Sequence, residues 1–265
     1  MSLAPHQKGI HATAIIDPEA RLGADVSVGP YAVIGPDVEI GDGSWIGPHA
    51  VIQGPTTIGK GNKIYQFASV GELSQDMTAK ADDGTRTEIG DHNTIREFVT
   101  INRGTLKQDG VTRIGSHNWL MAYVHVAHDC VIVDHTIFAN NASLAGHVTI
   151  EDWVILGGFT LVHQFCRIGA HAFTAYAAGL SGDVPPFVMV QGNPAKPRSL
   201  NLEGLRRRGF SREQVAPIKE AYRVIYRSGK VMDEVKQELA VLAAESEHVA
   251  RMLRFIENGK RPLQR

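Results

Sequence analysis

Four histidines and one aspartate stand at spacings that suit acid–base chemistry. His128, Gly146 and Gln164 are 18 residues apart, as are Asp129, His147 and Phe165, and Ala127, Ala145 and His163. His125 lies one corner earlier, in the same strand region as His128. In a chain that retraces its path every 18 residues, positions 18 apart stack in columns. Those residues then meet along one edge, over three turns. Histidine suits general-base work near neutral pH. The N–H of Gly146, one turn along, can face an oxyanion because no side chain blocks approach. A base beside an oxyanion donor is equipment for acyl transfer. The chain has no GxGxxG dinucleotide fingerprint and no P-loop, so redox and phosphoryl transfer fit less well.

A metal site is the rival use of the same histidines, since zinc takes imidazole ligands. Carbonic anhydrases of the hexapeptide-repeat kind place one histidine pair five residues apart and a third histidine two turns before. Here His92 and His128 are 36 apart, but position 133 is Val133. His135 and His171 are also 36 apart, but position 176 is Tyr176. That pattern fails, and neither a metal nor a cofactor is expected.

The columns depend on a six-residue ladder. Ile10, Ile16, Leu22, Val28, Ile34, Ile40, Ile46, Ile52, Ile58, Ile64 and Val70 keep step without a failure. The ladder resumes at Ile89, Ile95 and Ile101, and again from Ile114 to Leu180, with Thr174 its one soft anchor. A period of six fits neither an amphipathic helix nor a single-faced strand. It fits short strands joined by tight turns, one large side chain per strand pointing inward. Three strands make a triangular turn, and successive turns stack in parallel about 4.8 Å apart. The 26 anchors therefore predict a parallel β-helix of nearly nine turns. Gly, Asn and Asp after the anchors are expected at corners that need unusual backbone angles.

Two polar excursions interrupt the ladder, near 72–87 and 103–112. Long unpatterned segments in a compact repeat are functional or mobile more often than chance allows. After Leu180 a Pro- and Gly-rich stretch reads as an irregular exit. From Asn201 onward the pattern is helical, with Ser211 and Gln214 as a capping box, Gly229 as a stop, and further helices near Asp233 and Ser246. Pro217 predicts a kink or a late start in the first of them. The expected division is a β-helix over 1–200 and a helical domain over 201–265. The latter is too small to stand alone and is expected to pack on the β-helix or on a neighbouring subunit.

Lys and Arg number 27 against 28 Asp and Glu, so no global charge invites nucleic acid. No apolar run is long enough for a transmembrane segment, and residues 1–12 lack the pattern of a signal peptide. The two cysteines, Cys130 and Cys166, stand two turns apart, about 9–10 Å, too far for a disulfide. Free thiols and no export signal point to a cytoplasmic protein.

Several segments carry a further resemblance: HVAHDC (125–130), NNASLAGHV (140–148), GGFTLVHQFCRIGAH (157–171), DVPPF (183–187), QGNPA (191–195), NLEGLRRRGFS (201–211), YQFASVGE (65–72) and Gln75-Asp76. The chain resembles, nearly end to end, the UDP-N-acetylglucosamine O-acyltransferases of lipid A biosynthesis. The resemblance implies the left hand for the β-helix. It implies transfer of an (R)-3-hydroxyacyl group from acyl carrier protein to the sugar 3-hydroxyl of UDP-N-acetylglucosamine. His128 would be the general base, Asp129 would orient it, and the Gly146 N–H would hold the oxyanion. Asp76 would contact the sugar and Gln75 the acyl hydroxyl or nearby atoms. His125, His147, His163 and Gln164 would line the sugar and pantetheine groove. Asn201, Glu203, Arg207 and Arg208 would meet the nucleotide. The family is a homotrimer with sites between subunits.

The chain departs from the family pattern in three places. Asn102 stands in TINRGT (100–105) where relatives commonly carry His, which keeps hydrogen bonding but removes charge. The loop 77–84 diverges, with Lys80 as its nearest cation. Tyr176 replaces a small residue where the family measures the acyl tail, and it should stack with Asn140 and Gly158. A bulky ring there predicts a medium chain. Two alternatives stay open: a related enzyme that acylates the glucosamine nitrogen, which carries an extra amino-terminal domain before its repeats, and a non-catalytic β-helix that only binds sugar nucleotides.

Overall fold

The computed structural model describes residues 8–265; the first part of the segment read as lacking an export signal, residues 1–7, lies outside them. Twenty-five short strands run from Ile15–Ile16 to Gly179–Leu180 and form three parallel sheets, the faces of a triangular prism. This is the left-handed parallel β-helix. Every ladder anchor from Ile16 to Leu180 falls in its own strand, paired with the anchor one turn on, as in Val126↔Leu144 and Ile132↔Ile150. Ile10 makes only an isolated bridge to Val28. The anchors from Val28 onward are buried and form one continuous core. Full burial of one such aliphatic side chain is worth roughly 1.5–3 kcal/mol. The polar anchor Thr174 keeps its place because its hydroxyl meets the Thr160 hydroxyl at 2.7 Å and accepts from the Gly157 N–H at 3.0 Å.

The corners meet the expectation in part: Asp25, Asp37, Asn141, Gly43 and Gly61 hold positive φ three positions after an anchor. Apart from Gly71 (φ 79°), the glycines directly after an anchor do not adopt positive φ; a Cβ on Gly41 would come within 2.7 Å of the next turn's backbone. Close stacking requires glycine there. The left-handed residues sit three positions after the anchor, and many are aromatic or histidine: His135 (φ 59°), Trp153 (φ 62°) and His171 (φ 59°). Their rings stack from turn to turn, His135 on Trp153 at 4.3 Å. Stacking offsets the 1–2 kcal/mol that such a backbone costs a residue with a Cβ.

The segment after Leu180 is also more regular than expected. Val184 bridges to Ile168, and strand Val188–Gln191 continues the prism by pairing with Phe173–Thr174. Strand Lys196–Leu200 then returns antiparallel. The ladder goes on, but at a broken spacing that a search for period six misses.

Four helices follow: α1 (Leu202–Arg207), α2 (Arg212–Arg227), α3 (Met232–Ala243) and α4 (Glu247–Glu257). The sequence signals found the last three. The helical pattern from Asn201 covered α1 but did not set it apart as a helix of its own; its sign was Asn201 as N-cap, accepting from the Gly204 N–H at 3.1 Å. Ser211 and Gln214 form the expected box, and α2 begins directly after Ser211 with Pro217 inside it, so there is no late start. The helices pack on the β-helix of their own chain. Arg251 pairs with Asp152 and Glu151. The Arg167 guanidinium lies 4.1 Å from the centroid of the Phe255 ring, and Arg208 donates to the Trp153 carbonyl at 2.9 Å.

At that junction His171 stacks against Phe187 and meets Phe210 edge-on. Its Nδ1 is buried without a partner among the described residues. Burial, then the positive charge of Arg208, pushes its imidazole down to about 4; Asp152 opposes this, while Arg251 and His248 add to it. The unfolded chain therefore takes up a proton at this residue below about pH 6.5, and the folded chain does not until about pH 4. Stability contributed by a neutral His171 is complete above pH 6.5 and falls between pH 6.5 and 4. The loss is at most about 3 kcal/mol. Urea titrations across that window are expected to show it, and a His171→Phe variant to show a flatter profile. An unchanged profile in the variant would assign the acid sensitivity to His125, His147 or His248, which burial also depresses.

Candidate active site

The columns close as the 18-residue rule requires. His128 and Asp129 occupy the corner between strands His125–Val126 and Val131–Ile132. His128 Nδ1 lies 2.9 Å from Asp129 Oδ2. A carboxylate only accepts, so the ring donates from Nδ1 and keeps the Nε2 lone pair free. Asp129 is almost wholly buried. Burial alone would raise its carboxyl, but hydrogen bonds from His128 and from the Thr105 hydroxyl and N–H outweigh it, and the group is held below the usual carboxylate range. Thr105 supplies those bonds at 2.6 and 3.0 Å. This is a dyad of a fixed imidazole and an ionised carboxylate.

Gly146 lies directly against the His128 ring. A Cβ on it would stand 2.4 Å from Cε1 and 2.6 Å from Nε2. Its role is thus wider than the open approach first expected, because the ring can occupy its seat only if residue 146 has no side chain. The Gly146 N–H donates to no acceptor among the described residues, which leaves it available to an oxyanion.

His147 meets His128 edge-on at 5.0 Å between centroids and stacks on Phe165 at 4.5 Å. Its Nδ1 contacts Gln108 Oε1 at 2.8 Å. Burial lowers its titration; the Asp129 charge opposes this, and His128 and Lys107 reinforce it. His125 Nδ1 meets the Thr100 hydroxyl at 2.7 Å, and burial followed by the His128 charge lowers it too. His125 and His163 line a groove of ≈ 510 Å³ with Ala145, Leu161 and Ser181. Gln164 is exposed at the same corner. Tyr176 is 72% exposed at the opposite edge of that prism face, beside Gly158 and Asn140 as the columns predicted.

The two excursions fold over the dyad, which the sequence did not disclose. Asp76 of the first is paired with Lys107 of the second and bonded by the Thr78 hydroxyl at 2.7 Å. The hydrogen bond from Lys107, then those from Thr78, hold the Asp76 carboxyl far below its ordinary range. The cation near Asp76 is therefore Lys107 and not Lys80, which is exposed at the loop. Gln75 is exposed beside it. Asn102 is buried, and its amide donates to the Leu73 carbonyl at 2.7 Å, tying down the root of the first excursion. Lys107, Gln108 and Thr105 are site residues that sequence reasoning missed. Their only signal was membership of a segment without a period.

The residues assigned to the nucleotide lie at the next corner of the prism. Asn201 is buried, caps α1, and donates to the His171 carbonyl at 2.9 Å. Arg208 is held over Trp153. Glu203 is exposed and bridges Arg206 and Arg207, whose hydrogen bonds lower its carboxyl to about 2. No hydrogen bond or ion pair joins any of these to residues 125–129 among the described residues.

His128, Asp129 and His147 have ligand atoms within 4.8 Å of one another, the one such group among the described residues. The bonds already made suit a base more than a metal: His128 Nδ1 is spent on Asp129, and both Asp129 oxygens accept from Thr105. Cys130 and Cys166 are buried and free, with burial raising their thiols to about 12 and about 11. Neither is set as a nucleophile.

Fold and site together define a hexapeptide-repeat acyltransferase, with a His–Asp dyad on one corner of a β-helix. Residues 37–72 and 112–146 match the bacterial transferase hexapeptide family. Residues 183–264 match the second domain of UDP-N-acetylglucosamine O-acyltransferase. The acyl-[acyl-carrier-protein]–UDP-N-acetylglucosamine O-acyltransferase of a Janthinobacterium species is 59% identical over 97% of this chain and 99% of its own. The enzyme of that name from Thiobacillus denitrificans is 58% identical over the same shares. The crystal structure of Francisella novicida UDP-N-acetylglucosamine acyltransferase superposes with a TM-score of 0.95 at 41% identity, covering 97% of this chain and 94% of that one. The chain belongs to the UDP-N-acetylglucosamine O-acyltransferase family and is an O-acyltransferase.

Proposed function

We propose that this enzyme moves an (R)-3-hydroxyacyl chain from acyl carrier protein to the 3-hydroxyl of UDP-N-acetylglucosamine, the first step of lipid A biosynthesis. The observation that carries the reading is the His128–Asp129 dyad seated on Gly146, next in the chain to Ala145 of the groove lining. His128 Nε2 takes the proton of the sugar 3-hydroxyl as its oxygen attacks the thioester carbonyl. Asp129 holds the ring in the required tautomer and offsets the imidazolium charge. The Gly146 N–H stabilises the tetrahedral oxyanion. Collapse expels the carrier's thiolate, which takes the proton back from the ring. No covalent acyl-enzyme and no cofactor enter the scheme.

Gln75 and Asp76 are assigned to the sugar and the acyl hydroxyl; Asp76 would exchange its bond to Lys107 for one to substrate. His125, His147, His163 and Gln164 are assigned to the sugar and pantetheine; His125 and His163 line the groove, and His147 lines the adjoining cavity with Gln108 and Asp129. Asn201, Glu203, Arg207 and Arg208 are assigned to the nucleotide of a site on a neighbouring subunit. Their separation from the dyad within one chain supports a homotrimer with sites between subunits. So does the exposed aromatic ladder Tyr31, Phe67, Phe98 and Tyr123 along one corner. Free buried thiols support a cytoplasmic location, and no described helix is long and apolar enough to cross a membrane.

The direct test is an assay with hydroxyacyl carrier protein and UDP-N-acetylglucosamine. Formation of the 3-O-acyl product is expected; acylation of a sugar nitrogen alone, or nucleotide binding without turnover, would overturn the reading. Chain length is set in this proposal by Tyr176, whose ring closes the prism face opposite the dyad and meets Phe159 edge-on at 5.9 Å. A Tyr176→Gly variant should shift the preferred donor to longer chains by several methylenes, each about 1.25 Å. Competition between donors of graded length measures this, and an unmoved preference removes Tyr176 as the ruler.

A further inference from the structure

The last residues of the chain form a strap across the β-helix, beside the groove. Gln264 is buried, and its Oε1 accepts from the Ser181 and Gly182 N–H groups at 3.0 and 2.9 Å, while its Nε2 donates to the Ala195 carbonyl at 2.6 Å. The backbone closes the same seam: Asp183 N–H donates to the Pro262 carbonyl at 2.9 Å, and Gln264 N–H to the Asp183 carbonyl at 2.8 Å. A strap held at five points places Arg261 with little freedom. One guanidinium nitrogen donates to the Ser181 carbonyl at 3.0 Å and the other lies 3.2 Å from His163 Nδ1.

His163 Nδ1 thus faces two partners with opposite demands. The Gln164 carbonyl, 3.3 Å away, can only accept and would want a proton on Nδ1. A guanidinium can only donate and needs a lone pair there. A charge-assisted bond is the stronger of the two, so the proton moves to Nε2. That nitrogen has no partner among the described residues, and His163 lines the groove. At His128 the Nδ1 partner is a carboxylate, so the opposite tautomer results. Neighbouring histidines then do different work: His128 offers a lone pair, and His163 offers an N–H.

We propose that Arg261 is a positioning residue for acyl transfer: by fixing the His163 proton on Nε2 it makes the groove present a hydrogen-bond donor to an acceptor oxygen of the acyl donor, a thioester or amide carbonyl. This rests on the acyltransferase reading above. Without Arg261 the ring donates from Nδ1 to the Gln164 carbonyl, and Nε2 turns two lone pairs, its own and the donor's, against each other.

Long-range proton–nitrogen correlation spectra of histidine-labelled full-length protein report which ring nitrogen of His163 carries the proton. Nε2–H is expected in the wild type and in Arg261→Lys, which keeps a donor-only group, and Nδ1–H in Arg261→Ala. The alanine variant should show a roughly tenfold higher KM for the acyl carrier donor, with kcat and the KM for the sugar nucleotide within about threefold, and the lysine variant should recover most of the loss. Nδ1–H in the wild type, or a tautomer unchanged in Arg261→Ala, overturns the proposal. So does an equal loss in both variants, or a loss matched by a fall in Tm, since a loosened strap would then be the cause. The spectrum needs no turnover, so an inactive wild type would sink the acyltransfer reading and leave the tautomer assignment to be judged separately.

Discussion

Replacing His128 by Ala is expected to lower kcat by about two to four orders of magnitude and to leave the fold intact. General-base catalysis is worth about 10²–10⁴-fold, and no other group among the described residues is placed to supply it. His147 is the nearest ring, but its Nδ1 is engaged by Gln108 and its titration is depressed by burial. His128 lies at a corner and is only partly buried, outside the ladder's core, so truncation opens no cavity among the anchors. Thermal unfolding should move by a degree or two at most. Affinity for the sugar nucleotide should be kept, which separates a lost base from a lost binding site. A variant with near-normal turnover would mean that another group takes the proton, and the catalytic assignment of the dyad would fall. Asp129→Asn provides the companion measurement. It keeps the shape but offers Nδ1 an amide that can also donate, so a part of the His128 effect is expected from tautomer loss alone.

Gly146→Ala is expected to be nearly as damaging, although the change adds one methyl group. That carbon would stand 2.4 Å from His128 Cε1 and 3.0 Å from Nδ1. Neither distance is tolerable, and the ring has to leave its seat. The Gly146 N–H survives, but the oxyanion it is proposed to hold would no longer lie beside a correctly placed His128. A loss of at least about 10²-fold in kcat is expected, comparable with the removal of an oxyanion donor. The double variant separates the causes. In a His128→Ala background there is no ring to displace, so Gly146→Ala should cost less than about threefold more. Strong non-additivity of this kind marks residues that act as a unit. Full activity in the single variant would show that the ring does not rest on Gly146 during turnover.

Much of this molecule was legible in the residue order, for a reason specific to its architecture. Val126 meets Leu144, and Ile132 meets Ile150, because each turn repeats the last. Spacing in sequence therefore equals position in space, and a column such as His128–Gly146–Gln164 can be read without coordinates. The corners were less legible. Glycine is required at Gly41 by a neighbouring turn and not by its own backbone angle, while His135, Trp153 and His171 adopt the left-handed region because stacked rings support it. The strand Val188–Gln191 escaped notice because its pairing with the previous turn skips the period.

The sequence by itself determined the ladder, the dyad on one corner, and the glycine beneath the base, since all three follow from a translational repeat in which local order dictates contact. Only the tertiary structure decided what lies across that repeat. Thr105 reaches Asp129 over 24 residues, Lys107 reaches Asp76 over 31, Gln108 reaches His147 over 39, and Arg261 reaches His163 over 98. Three of these contacts join a segment that has no period to one that has it, and the Lys107–Asp76 pair joins the two excursions to each other. Their partners are set by loop closure and by the matching of donor to acceptor, and neither leaves a mark on the order of residues.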